Sequence, residues 1–207
     1  MKIQRYALAK VAWMATFVAM PTVFAGVKEG DLNVGITEEG KLAAAFSFDE
    51  LLPLPPIDGF LQGWASGEPG FFSTKAPIPT ANLFPLENGA LIELQVVSFD
   101  PALQAWLPGF EDVLRNPGDT WLVGTSQFDA HLFWHVDSTS PEFDPAKDVF
   151  AATFLLRDIG TTGYAASGHL TLSFAPVPEP ATLLLLFMGS VGLLGARRVV
   201  KARGGRE

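Results

Sequence analysis

The sequence predicts an all-β protein: an antiparallel β-sandwich with an N-terminal signal helix and a C-terminal transmembrane helix. Three observations support this fold class. About seven short segments carry alternating or β-branched apolar patterns, which are typical of the strands of a sandwich. Glycine- and proline-rich stretches separate these segments, as turns and loops do. Apolar runs with basic neighbours stand at both ends of the chain, at residues 11–20 and 181–196.

The N-terminus has the parts of a secretory signal peptide. Three basic residues lie within the first ten positions, and the apolar run 11–20 follows them. Pro21 ends any helix there, because proline lacks the N–H and its ring clashes with the preceding turn. Val23 and Ala25 are modest or small side chains at the positions that a signal peptidase reads. We therefore predict a signal peptide over residues 1–25, cleaved after Ala25.

The C-terminal segment, residues 177–207, has a different three-part pattern. A P-E-P triplet at 178–180 leads into the uncharged run 181–196, and five basic residues follow within the last eleven positions. A transmembrane helix needs about 17–25 apolar residues, and arginines near its end can reach the headgroups. We therefore predict a short span over about 181–200. Because basic residues favour the cytoplasmic side, the body of the chain lies outside the cytoplasm.

Together, the triplet, the glycine-containing apolar run and the basic cluster closely resemble the PEP-CTERM sorting signal. In that family, proteins of Gram-negative, exopolysaccharide-making bacteria are exported, held by the C-terminal helix and processed by exosortase, a membrane-embedded peptidase. The resemblance implies the general secretion machinery, exosortase and the membrane as partners, with exopolysaccharide as a further candidate. It implies an inner-membrane-anchored precursor and delivery to the cell surface or extracellular matrix. By the same resemblance, the sorting residues are Pro178, Glu179, Pro180, Arg197 and Arg198.

The segment between the two ends is strongly acidic and contains no cysteine. Six basic and 21 acidic residues lie between Gly26 and Pro180, a net charge of −15. Nucleic-acid binding needs basic surface to neutralise phosphates, so that class of function is excluded. Without cysteine, disulfides and thiolate nucleophiles are excluded as well. A segment of about 150 residues can bury its own core, and we place one extracytoplasmic β-sandwich domain at residues 26–176.

The first half of this domain contains two clear strand regions. Residues 28–48 predict a β-hairpin, because apolar residues alternate on both sides of the turn at 38–40. Residues 51–85 are rich in proline and predict a long ordered loop whose aromatic residues cap the core. Residues 90–99 are apolar and β-branched enough for a strand. Residues 100–110 are ambiguous, since their helical spacing is limited by proline and glycine to about two turns.

The second half continues the strand pattern. The Asn-Pro-Gly-Asp sequence at 116–119 is a turn by its chemistry, and a short strand follows at 120–123. Residues 127–137 predict the clearest strand of the chain, with apolar side chains on one face and polar ones on the other. Strands at 149–157 and 169–174, joined by a glycine- and threonine-rich turn, complete the set.

The polar face of the clearest strand carries candidate metal ligands. Asp129 and His131 are neighbours on this face, as are His135 and Asp137, with about 6.6 Å between the Cα atoms of each pair. The Cα atoms of His131 and His135 are about 13 Å apart, too far for ready chelation of one zinc by both. His169, on the last strand, could face them. No cofactor is expected unless these side chains bind Zn²⁺ or Ca²⁺.

Two sandwich topologies fit the strand pattern. The stretch F-D-A-H-L-F-W-H-V-D, with G-Y-x-x-S-x-x-L further along, loosely resembles immunoglobulin-like domains of bacterial surface-anchored proteins. That resemblance implies an Ig-like sandwich. A jelly roll is the competing all-β form.

The chain shows no signature of catalysis. It lacks a G-x-S-x-G elbow, an H-E-x-x-H helix motif and a phosphate-binding glycine loop, so we predict that it is not an enzyme. The function we favour is that of a structural or adhesive surface protein. One alternative is a divalent-metal-binding module that uses the Asp129–Asp137 strand. Another is a carbohydrate-binding domain that uses Trp64 and neighbouring aromatic residues of the proline-rich segment.

Overall fold

The computed structural model describes residues 30–177, and these residues are all-β. Apart from a short 3-10 turn at Pro79–Ala81, their regular elements are strands. The predicted signal helix and transmembrane helix fall outside the described residues. Within residues 30–177, no helix has the length and apolar character needed to cross a bilayer.

Short strands follow one another along the whole described segment. In chain order they are β1 (Leu32–Ile36), β2 (Leu42–Ala45), β3 (Leu51–Leu54), β4 (Pro56–Ile57), β5 (Gly63–Ser66), β6 (Phe71–Ser73), β7 (Ile92–Phe99), β8 (Leu103–Trp106), β9 (Val113–Leu114), β10 (Thr120–Gly124), β11 (Asp129–Ala130), β12 (Phe133–Asp137), β13 (Phe150–Asp158) and β14 (Leu170–Pro176).

These strands form three sheets. The central sheet has the order β10-β7-β13-β14-β3. The first flanking sheet has the order β11-β6-β1-β2, and the second flanking sheet has the order β4-β5-β12-β8-β9. Most neighbours are antiparallel, as predicted. The pairs β1–β6 and β14–β3 are parallel, so the sheets are mixed rather than purely antiparallel.

One hydrophobic core joins the three sheets. Trp134 of β12 is fully buried, and its ring lies 6.4 Å from that of Phe154 on β13 and 5.1 Å from that of Phe174 on β14. Phe71 of β6 packs edge-on against Phe154, with 5.6 Å between ring centroids. Each flanking sheet therefore buries a face against the central sheet, which is the layered packing that a β-sandwich requires.

Several sequence predictions are confirmed. The hairpin predicted over 28–48 is formed by β1 and β2, which pair antiparallel across a turn that has Gly40 at φ 74°. Four further predicted strands correspond to β7, β10, β13 and β14. In the predicted Asn-Pro-Gly-Asp turn, the Asp119 N–H donates to the Asn116 carbonyl at 3.0 Å.

The prediction of a long loop over residues 51–85 is wrong, because this segment contains β3, β4, β5 and β6. Pro53 lies in β3 and Pro56 in β4, and both strands are edges of their sheets. Proline is tolerated at an edge, where its missing N–H removes no ladder hydrogen bond. Whether a strand lies at an edge depends on tertiary structure, so these two strands could not be recognised from a sequence that contains prolines.

Two other segments differ from prediction. The ambiguous residues 100–110 form strand β8 rather than helical turns. Residues 127–137 are not one strand: β11 belongs to the first flanking sheet and β12 to the second. Leu132, only 1 % exposed, lies between them, and the chain crosses there from one sheet to the other. The burial of Leu132 explains why the apolar alternation continues through the break.

Candidate functional site

Four titratable side chains meet near the crossing from β11 to β12, and we refer to them as the titratable cluster: Asp31, Glu68, Asp129 and His131. Asp31 immediately precedes β1, and Glu68 lies in the connection between β5 and β6. Asp129 is on β11, and His131 follows that strand. Ligand-type atoms of Asp31, Glu68 and His131 all lie within 4.8 Å of one another.

The imidazole of His131 is the centre of this cluster. Its Nδ1 lies 3.0 Å from the Gly67 carbonyl oxygen and 3.8 Å from Oε2 of Glu68. Its Nε2 lies 3.2 Å from Oδ1 of Asp129. Both ring nitrogens therefore face oxygen acceptors, an arrangement that an imidazolium satisfies with its two N–H donors. In the neutral ring one nitrogen carries a lone pair, and this is the kind of atom that binds a metal ion.

The Asp31 carboxyl disfavours ionisation of the neighbouring Glu68. Asp31 is only 2 % exposed, and its Oδ1 accepts a hydrogen bond from the Gly70 N–H at 2.8 Å. Burial and the adjacent Asp31 carboxyl raise the pKa of Glu68, and the charge of His131 opposes that shift. Burial is the largest cause of the raised pKa, because it disfavours the ionised form of the carboxyl group. A proton or a cation at this position offsets this penalty.

Gly70 allows the backbone to approach the imidazole closely. A Cβ atom at this position would lie 2.4 Å from Cε1 of His131, closer than real Cβ contacts. The glycine at position 70 therefore leaves the space that the His131 ring occupies, while its N–H holds Asp31.

The structure places the predicted ligands in different environments. Asp129 and His131 come together, as their spacing suggested. His135 and Asp137 lie on β12, and Asp137 accepts hydrogen bonds from the N–H and hydroxyl of Thr139 at 2.8 and 2.7 Å. Within residues 30–177, neither these two side chains nor His169 belongs to the metal-ligand group around His131.

Sequence reasoning missed Asp31 and Glu68. Asp31 stands just before the first strand, and Glu68 stands in a segment predicted to be a loop. Their approach depends on the parallel pairing of β1 with β6, which joins residues far apart in the chain. No local pattern in the sequence signals such a pairing.

A second candidate site lies on the outer face of the second flanking sheet, around His135. This imidazole is only 1 % exposed. Its Nδ1 lies 3.0 Å from Nε2 of Gln104 and 3.3 Å from Nε1 of Trp106, and its Nε2 lies 3.0 Å from the Gln62 carbonyl oxygen. The indole N–H is donor only, so Nδ1 accepts and Nε2 carries the proton that is donated to Gln62.

Burial lowers the pKa of His135, while the Gln62 carbonyl and the charge of Asp137 act in the opposite direction. The geometry agrees with the lowered pKa. A proton on Nδ1 would face the N–H groups of Gln104 and Trp106, which are both donors. His135 is therefore neutral in this network.

Aromatic rings extend from this network to the surface. Phe60 is 87 % exposed, and its ring centroid lies 6.5 Å from that of Trp106. The ring centroids of Trp106 and Phe110 are 6.3 Å apart, and those of Phe110 and Phe133 are 5.2 Å apart. A cleft of about 350 Å³, which we call the aromatic cleft, is lined by nine residues: Phe60, Leu61, Gln62, Gln104, Trp106, Arg115, His135, Asp137 and Thr139.

Trp64, the aromatic residue singled out in the sequence, is not among the residues that line the aromatic cleft. Its ring stacks on Phe143 with 5.8 Å between centroids, and its indole N–H donates to the Val177 carbonyl at 3.2 Å. Trp64 therefore holds the backbone at Val177, directly after β14.

Comparison with known proteins identifies the C-terminal segment. A family model described as the PEP-CTERM protein-sorting motif matches residues 176–199, which confirms the predicted sorting signal. No curated protein and no solved structure matches the chain, and the Ig-like resemblance stays a prediction. The motif supports an exported, exosortase-sorted protein that is made as a membrane-associated precursor. The predicted sorting and cleavage residues lie outside the described residues: Ala25, Pro178, Glu179, Pro180, Arg197 and Arg198.

Proposed function

We propose that this chain is a non-catalytic protein of the cell surface or extracellular matrix, with a structural or adhesive role. The observation that carries the proposal is the sorting motif at residues 176–199. A protein with this motif is delivered outside the cytoplasm, and its folded domain meets the surroundings of the cell. The bacterium we expect is Gram-negative, with the precursor anchored in the inner membrane.

The attachment of the motif to the domain supports this role. The motif begins at Pro176, the last residue of β14, so no spacer separates it from the central sheet. The Val177 N–H donates to the Leu54 carbonyl at 2.8 Å, and the Val177 carbonyl accepts from Trp64. Cleavage beyond Val177 would leave intact the fourteen strands found within residues 30–177, so we expect exosortase to release these strands as a folded β domain.

The acidic charge of the domain is compatible with a location at the cell surface. The net charge of −15 between Gly26 and Pro180 keeps a protein soluble and limits non-specific association. The core lies within the described residues and contains no cysteine, so folding needs no oxidant. Both properties suit a protein that is exported before it folds.

The proposal is tested by replacing Pro178, Glu179 and Pro180 with alanine in the full-length chain, in a host that contains exosortase. A matched control replaces the same residue types in an exposed loop: Pro141, Glu142 and Pro145. We expect the wild-type chain and the control to reach the surface fraction, while the triplet variant accumulates in the membrane fraction. Equal surface delivery of the triplet variant would overturn the proposal.

A second candidate function, the binding of a divalent metal, is favoured by the titratable cluster. Ligand-type atoms of Asp31, Glu68 and His131 lie within 4.8 Å of one another. Imidazole with carboxylate suits Zn²⁺, whereas Ca²⁺ takes oxygen ligands, so we favour zinc. The site differs from that expected on the Asp129–Asp137 strand, because two of its ligands come from other parts of the chain.

Calorimetric titration of the full-length protein in detergent tests this candidate, with ZnCl₂ and CaCl₂ as the two probes. We expect zinc binding that His131→Ala and Asp31→Asn abolish. His169→Ala is the matched control, since His169 lies outside the cluster. Absence of zinc binding by the wild-type protein, or binding that His169→Ala removes equally, would rule out the site.

A further inference from the structure

We propose that the aromatic cleft binds a neutral oligosaccharide. This gives the proposed adhesive role a ligand class and rests on that role for its biological meaning. The site is distinct from the titratable cluster and from the Trp64 region that the sequence suggested.

Aromatic rings are exposed at and beside the aromatic cleft. Phenylalanine is normally buried, yet Phe60 is 87 % exposed and Phe110 is 47 % exposed. Their ring centroids lie 6.5 and 6.3 Å from that of Trp106. A contiguous exposed patch of this kind marks a binding surface. The C–H face of a sugar ring is apolar and flat, and it can stack on such rings.

Polar side chains line the aromatic cleft beside the rings. Gln62, Gln104 and Thr139 line the cleft with neutral groups that donate and accept hydrogen bonds. A hydroxyl group also donates and accepts, so a polyhydroxyl ligand matches the hydrogen-bonding chemistry of these side chains. An aromatic wall with a few convergent polar groups is the usual composition of a small-ligand site.

Charge selects a neutral ligand over a charged one. Arg115 and Asp137 both line the cleft, and their formal charges cancel. The net charge of −15 between Gly26 and Pro180 repels an anionic chain at long range. A neutral oligosaccharide has no such penalty.

The cleft is held in shape before any ligand arrives. His135 accepts hydrogen bonds from the side chains of Gln104 and Trp106 and donates to the Gln62 carbonyl. One buried imidazole thus holds three groups that line the aromatic cleft, and His135 acts as a positioning residue. Preorganisation of this kind lowers the entropic cost of binding. The volume of about 350 Å³ accepts a short stretch of a chain rather than a large ligand.

The test uses the full-length protein in detergent, an array of neutral and acidic oligosaccharides, and a tryptophan-fluorescence titration with each neutral chain bound on the array. Phe60→Ala should weaken binding roughly tenfold, the effect of an aromatic contact worth about 1.4 kcal/mol. Leu122→Ala is the matched control, because Leu122 is also apolar and exposed (52 %) but lies on β10 of the central sheet. We expect Leu122→Ala to bind like the wild-type protein.

Several results would overturn the proposal. They are the absence of binding to any neutral oligosaccharide, binding to acidic oligosaccharides alone, and equal weakening by Leu122→Ala. Sedimentation analysis provides a further measurement. If the wild-type protein self-associates, Phe60→Ala abolishes this self-association and no sugar binds, the aromatic cleft is a protein interface instead. A failure of sugar binding can be distinguished from a failure of sorting. The variant in which Pro178, Glu179 and Pro180 are replaced by alanine should lose surface delivery but still bind the sugar.

Discussion

The indole N–H of Trp106 lies 3.3 Å from Nδ1 of His135, across the paired strands β8 and β12. The register of this pair places Trp106 opposite Phe133 and His135 opposite Gln104, so all four side chains share one face of the sheet. The imidazole can accept from Trp106 only while Nδ1 is unprotonated. Protonation of one buried ring is therefore coupled to the shape of the aromatic cleft.

This coupling predicts a pH dependence of stability. The pKa of His135 is lowered by burial, so the folded state binds its proton less readily than the unfolded state does. The stability that depends on neutral His135 is fully present above the unfolded pKa of about 6.5, and it is lost as the pH falls through the folded pKa. The groups that face the ring are Gln104, Trp106, the Gln62 carbonyl and Asp137. Urea unfolding between about pH 7.5 and pH 5 should show this loss.

The control for that measurement is a comparison of two variants. His135→Gln removes the titrating group and should show a smaller loss of unfolding free energy over the same pH range. His169→Gln should retain the dependence of the wild-type protein. An unchanged pH dependence in His135→Gln would show that this ring does not govern it.

Asp158 should be a strong determinant of stability at the end of β13. Burial acts to raise the pKa of Asp158, but hydrogen bonds from the Leu91 N–H, the Thr162 hydroxyl and the Gly160 N–H outweigh it, and the pKa is lowered. Asp158→Asn should cost about 1.5–3 kcal/mol at pH 7, the value of a hydrogen bond to a charged group. Chemical denaturation at pH 7 measures this cost.

The sign of the Asp158 effect gives it a pH test. A lowered carboxyl pKa stabilises the fold above the unfolded value of about 3.9, and the contribution is lost as the pH falls through the folded pKa. The difference between Asp158→Asn and wild type should therefore shrink in acid. Asp148→Asn, at an exposed position, should change stability by less than about 0.5 kcal/mol. A larger cost for Asp148→Asn than for Asp158→Asn would contradict the account.

Trp134 should be the most costly core residue to truncate. Its ring is fully buried against Phe154 and Phe174, and its indole N–H donates to the Pro69 carbonyl at 2.9 Å. Trp134→Ala should destabilise the protein by about 3–5 kcal/mol, because it leaves a large cavity. Phe60→Ala should change stability by less than about 0.5 kcal/mol, as an exposed substitution does. Thermal unfolding that shows equal costs would contradict this assignment of core and surface.

Gly70 and Gly67 form a matched pair of test positions beside His131. A Cβ at Gly70 would meet the His131 ring at 2.4 Å, whereas a Cβ at Gly67 would meet nothing within 4 Å. Gly70→Ala should displace the ring, cost about 1–3 kcal/mol through overpacking, and reduce zinc binding. Gly67→Ala should leave both properties close to wild type. Equal zinc affinity in the two variants would show that the position of the His131 ring does not matter.

Much of the fold could be predicted because its signals are local. The alternation of apolar residues in β1, the apolar and β-branched content of β7 and the turn chemistry at 116–119 are local signals that need no tertiary information. The prolines at 53 and 56 misled the prediction, because their tolerance depends on edge position in a sheet. The break at Leu132 was hidden for a related reason, since a buried residue continues the apolar pattern.

The candidate sites were less predictable than the strands. The pair Asp129 and His131 could be found from its spacing on one strand face. Asp31 and Glu68 could not, because a parallel pairing between distant strands brings them there. The aromatic cleft depends on the exposure of Phe60, and composition gives no means of distinguishing that residue from a core phenylalanine.

We propose above all that exosortase processes the chain at its C-terminal motif and so delivers the β domain outside the cytoplasm. The most direct test is the intact mass of the protein recovered from the surface fraction of an exosortase-containing host. We predict a species that has lost residues 1–25 and the basic C-terminal tail, but retains the domain through Val177. A surface species that still ends at Glu207, with Arg197 and Arg198 in place, would contradict the claim.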